Sequence, residues 1–359
     1  MAIEGERAGM NKRHFLQWIV LLLIGTACRA GGTTPTAVPP TPTLPPLNVS
    51  FELGGQVFIF NKPDLMKNAG MTWVKRQYVY RQQDEPDLVA PVIQDAHNKG
   101  FKILLNVVGD VSQMAANPAA YNTDFATFLG AVALFSPDAI QVWNEPNIDR
   151  EWPAGNISGE AYTQMLKAAY PAIKTANANV MVVSGAPAPT GFFNGQCTAN
   201  GCDDNIFLQQ MVNAGAEPFL DCIGIHYNEG ILPPDATSGD PRGNPNHYTR
   251  YYSTMVDLYA RAFPNKPLCF DELGYLTGEG YDPLPAGFDW AENVTLQNQA
   301  DWLAQAVSLS KANKRVRLMI VWNVDSTLYS ADPQAGYAIV RRNGSCPACA
   351  TLGAAMAAP

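Results

Sequence analysis

The residues best equipped for chemistry are two glutamates, each at the end of a short apolar run. Glu145 stands in Trp143-Asn144-Glu145-Pro146-Asn147, directly after Ala139-Ile140-Gln141-Val142. Glu272 closes the stretch Pro267-Leu268-Cys269-Phe270-Asp271. Two carboxyl groups carried to the ends of two parallel strands are the equipment for breaking a glycosidic bond. One protonates the leaving oxygen and the other works beneath the sugar ring. In a retaining site they stand about 5–5.5 Å apart and the second attacks the anomeric carbon. Taken singly, either glutamate reads equally well as a solvated loop charge; the matching placement of both favours chemistry.

Such a pair needs a frame, and the hydrophobic pattern supplies one. Short β-rich runs occur at 51–55, 72–76, 102–108, 139–142, 180–184, 221–226, 267–272 and 318–323. Amphipathic, helix-favouring stretches such as 87–99, 161–176, 205–213, 248–263 and 297–313 alternate with them. Eight strands alternating with helices predict an α/β fold, a single closed (β/α)8 TIM barrel. No dinucleotide fingerprint or phosphate loop is present, which disfavours a doubly wound open sheet. Glu145 then ends the fourth strand and Glu272 the seventh. The long segments 227–246 and 274–291, rich in Gly, Pro and Asp, would lie at the active face.

The first part of the 359-residue chain reads as export machinery. Lys12 and Arg13 precede an apolar stretch from Phe15 to Ala27, so residues 1–30 are expected to be a signal peptide. Cys28 directly after Gly25-Thr26-Ala27 makes lipidation there one expectation and simple cleavage near Ala30 the other. Residues 31–48, almost wholly Gly, Thr and Pro, cannot bury enough apolar surface to fold and read as a tether, leaving 49–359 as the barrel. The expected location is therefore extracellular or at a cell surface, with a lipid on Cys28 as the sole means of membrane attachment.

A net charge of −8 without a basic stripe argues against nucleic acid and favours a neutral glycan over a polyanionic one. In an exported chain the close pairs Cys197/Cys202 and Cys346/Cys349 read as loop disulfides. Strict alternation counted from the catalytic ends points Cys222 and Cys269 to opposite faces, as buried thiols.

Asn144-Glu145-Pro146 at the fourth strand and Asp271-Glu272 at the seventh resemble the large clan of retaining glycoside hydrolases with (β/α)8 barrels, clan A. The motif Trp143-Asn144-Glu145-Pro146-Asn147 is most similar to the family of β-xylosidases and α-L-iduronidases, with the endoglucanase and mannanase family next. The resemblance covers the domain in layout and rests on few residues. It implies Glu145 as acid/base and Glu272 as nucleophile. It also implies a cation for Glu272, for which Arg76 in the second strand is the candidate, and a sugar platform, for which Trp322 is. Clan members often place a His or Tyr beside the nucleophile at the end of strand six, where His226 and Tyr227 stand. Which of the two faces inward stays open.

Asn144 carries the amide needed to bond a sugar 2-hydroxyl, and Asn106 is a further candidate from strand three. Trp152, Tyr275 and Trp290 would form further subsites or pack the loops down. Glu145 must begin protonated, so burial and the charge of Glu272 are expected to raise its pKa.

The expected partner is a polysaccharide or oligosaccharide, acted on by a monomer without cofactor or metal. Of His14, His97, His226 and His247, no two have ligand spacing. A serine hydrolase is disfavoured because no Gly-x-Ser-x-Gly elbow occurs. The competing class is a glycan-binding barrel without turnover.

Overall fold

The computed structural model describes residues 44–359. Cys28, the expected signal peptide and most of the expected tether lie outside the described residues. Packing begins slightly earlier than position 49. Leu44 rests on the core, the Arg315 guanidinium donates to the Pro45 carbonyl at 2.5 Å, and Val49 N–H donates to Lys314 O at 3.2 Å.

Eight parallel strands form one sheet: β1 (Glu52–Gln56), β2 (Trp73–Tyr80), β3 (Lys102–Gly109), β4 (Ala139–Val142), β5 (Met181–Ser184), β6 (Ile223–Tyr227), β7 (Leu268–Leu273) and β8 (Val316–Val321). Their order is β5-β4-β3-β2-β1-β8-β7-β6. The remaining seam, β5 to β6, is held by a bridge between Val183 and Cys222 and by Ser184 N–H donating to Cys222 O at 3.1 Å. The sheet is therefore a nearly closed (β/α)8 barrel, as the alternation of runs predicts.

Helices flank it, among them Ala90–Asn98, Gly159–Ala176, Asp204–Asn213, Tyr252–Ala262 and Leu296–Asn313. Their starts follow local chemistry. Ser158 accepts from Ala161 N–H, and Thr295 and Asn298 form a reciprocal capping box. Asn117 and Pro118 open a further helix, Pro118–Ala133, whose Tyr121, Phe125, Phe128, Leu129 and Val132 pack inward.

Alternation divides the strands' side chains between two cores. Trp73, Leu104, Ala139, Val183, Cys222, Cys269, Leu318 and Ile320 fill the barrel interior. Val74, Ile103, Leu105, Ile140, Val142, Val182, Ile225, Phe270 and Met319 pack outward beneath the helices. Gly54, the register partner of Trp73 on β1, has no room for a side chain: an added Cβ would lie 2.6 Å from both Trp73 Cβ and Ile320 Cδ1.

Cys197–Cys202 and Cys346–Cys349 are disulfides, as expected. Cys222 and Cys269 are not thiols on opposite faces but a third disulfide, inside the barrel. The alternation argument failed because β7 is irregular. Ile225 pairs with Phe270 and His226 with Glu272, which leaves Asp271 unopposed. Counting back from Glu272 across that extra residue inverts the face of Cys269.

This bridge ties two neighbouring strands across a separation of 47 residues. Replacing both cysteines by alanine is expected to lower unfolding free energy in urea by about 2–4 kcal/mol. A non-reducing peptide map that recovers Cys222 and Cys269 as free thiols would contradict the pairing.

Candidate active site

Trp143 follows β4 with a φ of 74° and Glu145 has a φ of 41°. For a residue as bulky as tryptophan this is a true outlier, of a kind that typically costs about 1–3 kcal/mol and survives only where packing over-determines it. Here the packing is extensive. The indole lies edge-on to Phe125 and Trp152, with centroids at 5.6 and 5.3 Å, and its Nε1–H donates to Glu151 O at 2.7 Å. Trp143 N–H donates to Val107 O and Glu145 N–H to Ala186 O, at 2.9 and 3.0 Å. The turn off the strand brings two sequence neighbours, Asn144 and Glu145, to the wall of one cleft.

Asn147, last of the motif, is structural. Its amide donates to Ala188 O and Cys202 O and accepts from Ala188 N–H, joining this turn to the loop after β5.

The bulge in β7 achieves the same for Asp271 and Glu272. Asp271 points into the barrel beneath the site, while Glu272 lines the cleft. Between the two walls stands His226. Its Nδ1 lies 3.0 Å from Glu145 Oε1 and 3.7 Å from Glu272 Oε2, and its Nε2 lies 3.6 Å from Asp271 Oδ2. Two catalytic-type carboxylates thus reach the same ring nitrogen. Lys75, wholly buried, puts Nζ 3.0 Å from Glu272 Oε1 and donates to Asp271 O at 3.2 Å. Asn228 Nδ2 donates to Glu272 Oε2 at 3.1 Å. On the opposite wall, Arg150 Nη2 meets Glu145 Oε2 at 2.5 Å while its side chain remains 69% exposed.

These contacts set the charges. Burial works against a charged His226, but the carboxylates of Glu272 and Asp271 and the hydrogen bond with Glu145 outweigh it, and its pKa is pushed up to about 10. Burial likewise pushes Glu145 up, but the hydrogen bond and charge of His226, then Arg150, carry it below the ordinary glutamate range. The expectation of a raised pKa for Glu145 is therefore corrected. It counted only the negative neighbour, whereas the fold inserts two cations beside the carboxylate. Glu151 behaves oppositely: burial first, then the Glu145 charge, raise it to about 7.

The fold also answers the other candidate positions. His226 faces the site. Tyr227 points outward, packed on Tyr252 and Tyr275 with its hydroxyl donating to Arg250 O. Lys75, not Arg76, pairs with Glu272, because Lys75 shares the inward face of β2 with Trp73; Arg76 lines the rim of the cleft.

Asn106 is fully buried beneath Asn144, donating to Asn144 Oδ1 at 3.4 Å together with Gln141 Nε2 at 3.4 Å. These two donors hold the Asn144 carbonyl, and the residue lines the cleft. Trp322 is on the cleft wall, edge-on to Phe58 at 6.0 Å. Of the loop aromatics, Trp290 lines the cleft, while Trp152 and Tyr275 are buried. Sequence reasoning missed Lys75, Arg150, Glu151 and Asn228. Strand parity with Trp73 was a usable signal for Lys75; none existed for the loop residues.

A nearly closed parallel barrel whose mouth holds two carboxylates from β4 and β7 around a shared imidazole defines the class of this fold and site. No protein-family model and no curated protein matches the chain. Among solved structures it is similar to a family 39 glycoside hydrolase from Bacteroides cellulosilyticus, with a TM-score of 0.61, 16% identity, and coverage of 86% of this chain and 64% of that one. It is also similar to a family 128 endo-β-1,3-glucanase from Sorangium cellulosum, with a TM-score of 0.54, 18% identity, and coverage of 86% and 98%. An endo-1,4-β-mannanase from Rhizomucor miehei gives a TM-score of 0.54 at 14% identity, over 86% of this chain and 95% of that one. The fold is thus shared with glycoside hydrolases, in line with the resemblance seen in the sequence.

The raised pKa of His226 has a direct readout. Its folded value lies above the unfolded value near 6.5, so its contribution to stability is fully present below about pH 6.5 and is lost as pH rises through about 10. The His226 ring resonances are expected to stay constant from pH 5.5 to 8.5 in a histidine NMR titration. A midpoint inside that window would show that the ring is not held as imidazolium.

Proposed function

We propose that this protein is a retaining glycoside hydrolase that cleaves β-linked neutral poly- or oligosaccharides by double displacement, with Glu145 as acid/base and Glu272 as nucleophile. One observation carries the reading: both carboxylates reach the same His226 nitrogen, at 3.0 and 3.7 Å. Their facing oxygens can lie no farther apart than those two distances laid end to end. That ceiling admits the ~5–5.5 Å spacing of retaining sites.

In the first step Glu145, which takes up a proton from solvent as the substrate displaces Arg150 and removes that cation from its carboxylate, gives the proton to the leaving oxygen as Glu272 attacks the anomeric carbon and the glycosidic bond breaks. In the second, the Glu145 carboxylate takes a proton from water, which attacks the same carbon and frees Glu272. Lys75 and Asn228 keep the Glu272 carboxylate aimed, and Asn144 offers its NH2 to the sugar 2-hydroxyl. Arg150 Nη2 is bonded to Glu145 Oε2, so an arriving leaving group competes with it. Its exposure makes it displaceable, and Glu151 Oε1, 3.5 Å from Arg150 Nε, is an alternative partner.

A neutral substrate is supported by the cleft's charges. The cleft wall carries Glu145, Glu151, Glu229, Glu272 and Asp332 against Arg76 and Arg150, with the cations Lys75 and His226 buried against Glu272 and Glu145, so no excess of positive charge awaits a polyanion. The β-linkage is supported by the structural neighbours whose names specify β-1,3-glucan and β-1,4-mannan as substrates.

A panel of 2-deoxy-2-fluoro-β-glycosyl fluorides is expected to leave one covalent sugar on the Glu272 peptide, absent in Glu272→Gln. NMR of the first-formed product should show the β-anomer. An α-anomer first, or neither adduct nor turnover across glucan, mannan, xylan and galactan substrates, would leave a binding barrel or another mechanism. Removing the guanidinium in Arg150→Ala takes away a cation that favours ionised Glu145, so the pKa of the acid rises. The alkaline limb of kcat/KM, where the acid loses its proton, is then expected to move to higher pH; an unmoved or lowered limb would sever Arg150 from the acid.

A further inference from the structure

Phe192 is 69% exposed, a high value for a large apolar side chain, and it lines the same cleft as the two carboxylates. Single exposed apolar residues on a protein surface need no explanation, but apolar groups gathered in one cleft mark a binding surface. Phe58, 43% exposed, lines the cleft as well.

The topology separates these two rings. Phe58 follows β1 and Phe192 follows β5, and in the order β5-β4-β3-β2-β1-β8-β7-β6 those strands stand on opposite walls of the barrel. Glu145, on the turn after β4, is nearest the Phe192 wall. Glu272, on β7, is nearest the wall of Trp322 and Phe58. The cavity between them measures about 750 Å³, room for several sugar rings.

The loop carrying Phe192 is braced. Phe193, 4.6 Å from it between centroids, packs so tightly on Gly201 that an added Cβ there would lie 2.0 Å from its ring. Phe193 and Gly195 N–H groups donate to the Asp203 carboxylate at 3.0 and 2.6 Å. The Cys197–Cys202 disulfide closes the hairpin, and Asn147 of the catalytic turn grips Cys202 O. The His247 ring fills the space beside Gly191. The braced loop thus fixes the place of a phenyl ring that stays in water.

Resting on the proposed reading of Glu145 as the acid, we infer that Phe192 is a sugar-stacking subsite on the leaving-group side. The substrate is therefore a chain that continues past the scissile bond toward its reducing end. The acid marks that side because it must touch the leaving oxygen, and a flat apolar ring suits the C–H face of a pyranose.

The test compares cello-, laminari- and mannohexaose with the corresponding β-glycosyl fluorides, whose leaving group carries no sugar. In Phe192→Ala the ratio of kcat/KM on the cleaved hexaose to that on its fluoride is expected to fall about tenfold. Cleavage of 18O-labelled hexaose should shift toward the reducing end, and Phe192→Trp should restore both. Calorimetric titration of the three hexaoses into Glu272→Gln, with and without Phe192→Ala, gives a readout free of turnover. If no sugar is hydrolysed but hexaose binding weakens about tenfold with Phe192→Ala, the hydrolase reading fails and the stacking site stands. If hexaose is cleaved or bound with no dependence on Phe192, or is not bound at all, the subsite is overturned.

Discussion

The His226 imidazole makes this site possible, because three carboxylates converge where none could be tolerated alone. Glu145, Glu272 and Asp271 all approach its ring, and Asp271 is wholly buried. Uncompensated, such a cluster would take up protons or force the strands apart. Lys75 and Arg150 complete the balance, giving three cations for three carboxylates. The arrangement is a fixed dipolar lattice more than a set of separate ion pairs. Among the buried members, Lys75, His226, Asp271 and Glu272, removing one partner strands the other, whereas the exposed Arg150 can leave.

Two backbone irregularities deliver these groups. A regular strand offers alternate residues to the barrel mouth, so consecutive residues cannot both serve. At β4 the positive φ values of Trp143 and Glu145 turn Asn144 and Glu145 into one cleft; at β7 the unopposed Asp271 lets two acids face inward. The aromatic cluster around Trp143 and the Asn147 bonds to the loop after β5 hold the first distortion in place. The interior disulfide between Cys222 and Cys269 lies below the second.

These same irregularities explain what could be read from the sequence. All eight strands were visible as apolar runs, because parallel strands buried on both faces are nearly continuous in hydrophobic residues. Glu145 and Glu272 were visible as acids at the ends of two such runs. What failed was parity. Counting alternate residues from Glu272 misplaced Cys269, and naming the nearest arginine bypassed Lys75, whose inward position follows from Trp73 two residues earlier. His226 and Tyr227 could not be separated until β6 was seen to keep strict alternation, with Ile225 and Tyr227 outward. Arg150, Glu151 and Asn228 reach the site from loops whose paths have no period to read.

The division of labour around Glu272 bears on how it would act. A guanidinium on β2 could grip both carboxylate oxygens at once through its planar fork. Lys75 is a point charge, and it takes Oε1 alone while also binding the carbonyl of Asp271. Oε2 is left to Asn228, a neutral donor, with His226 at 3.7 Å, beyond hydrogen-bond range. The two oxygens are therefore held differently: Oε1 by a direct hydrogen bond from a cation, Oε2 by a neutral donor with the imidazolium charge farther off. Oε2 is also the oxygen that lies 3.7 Å from His226 Nδ1, the nitrogen bonded to Glu145. On the proposed mechanism the anomeric carbon is met by Oε2, with Lys75 stabilising the carboxylate from behind.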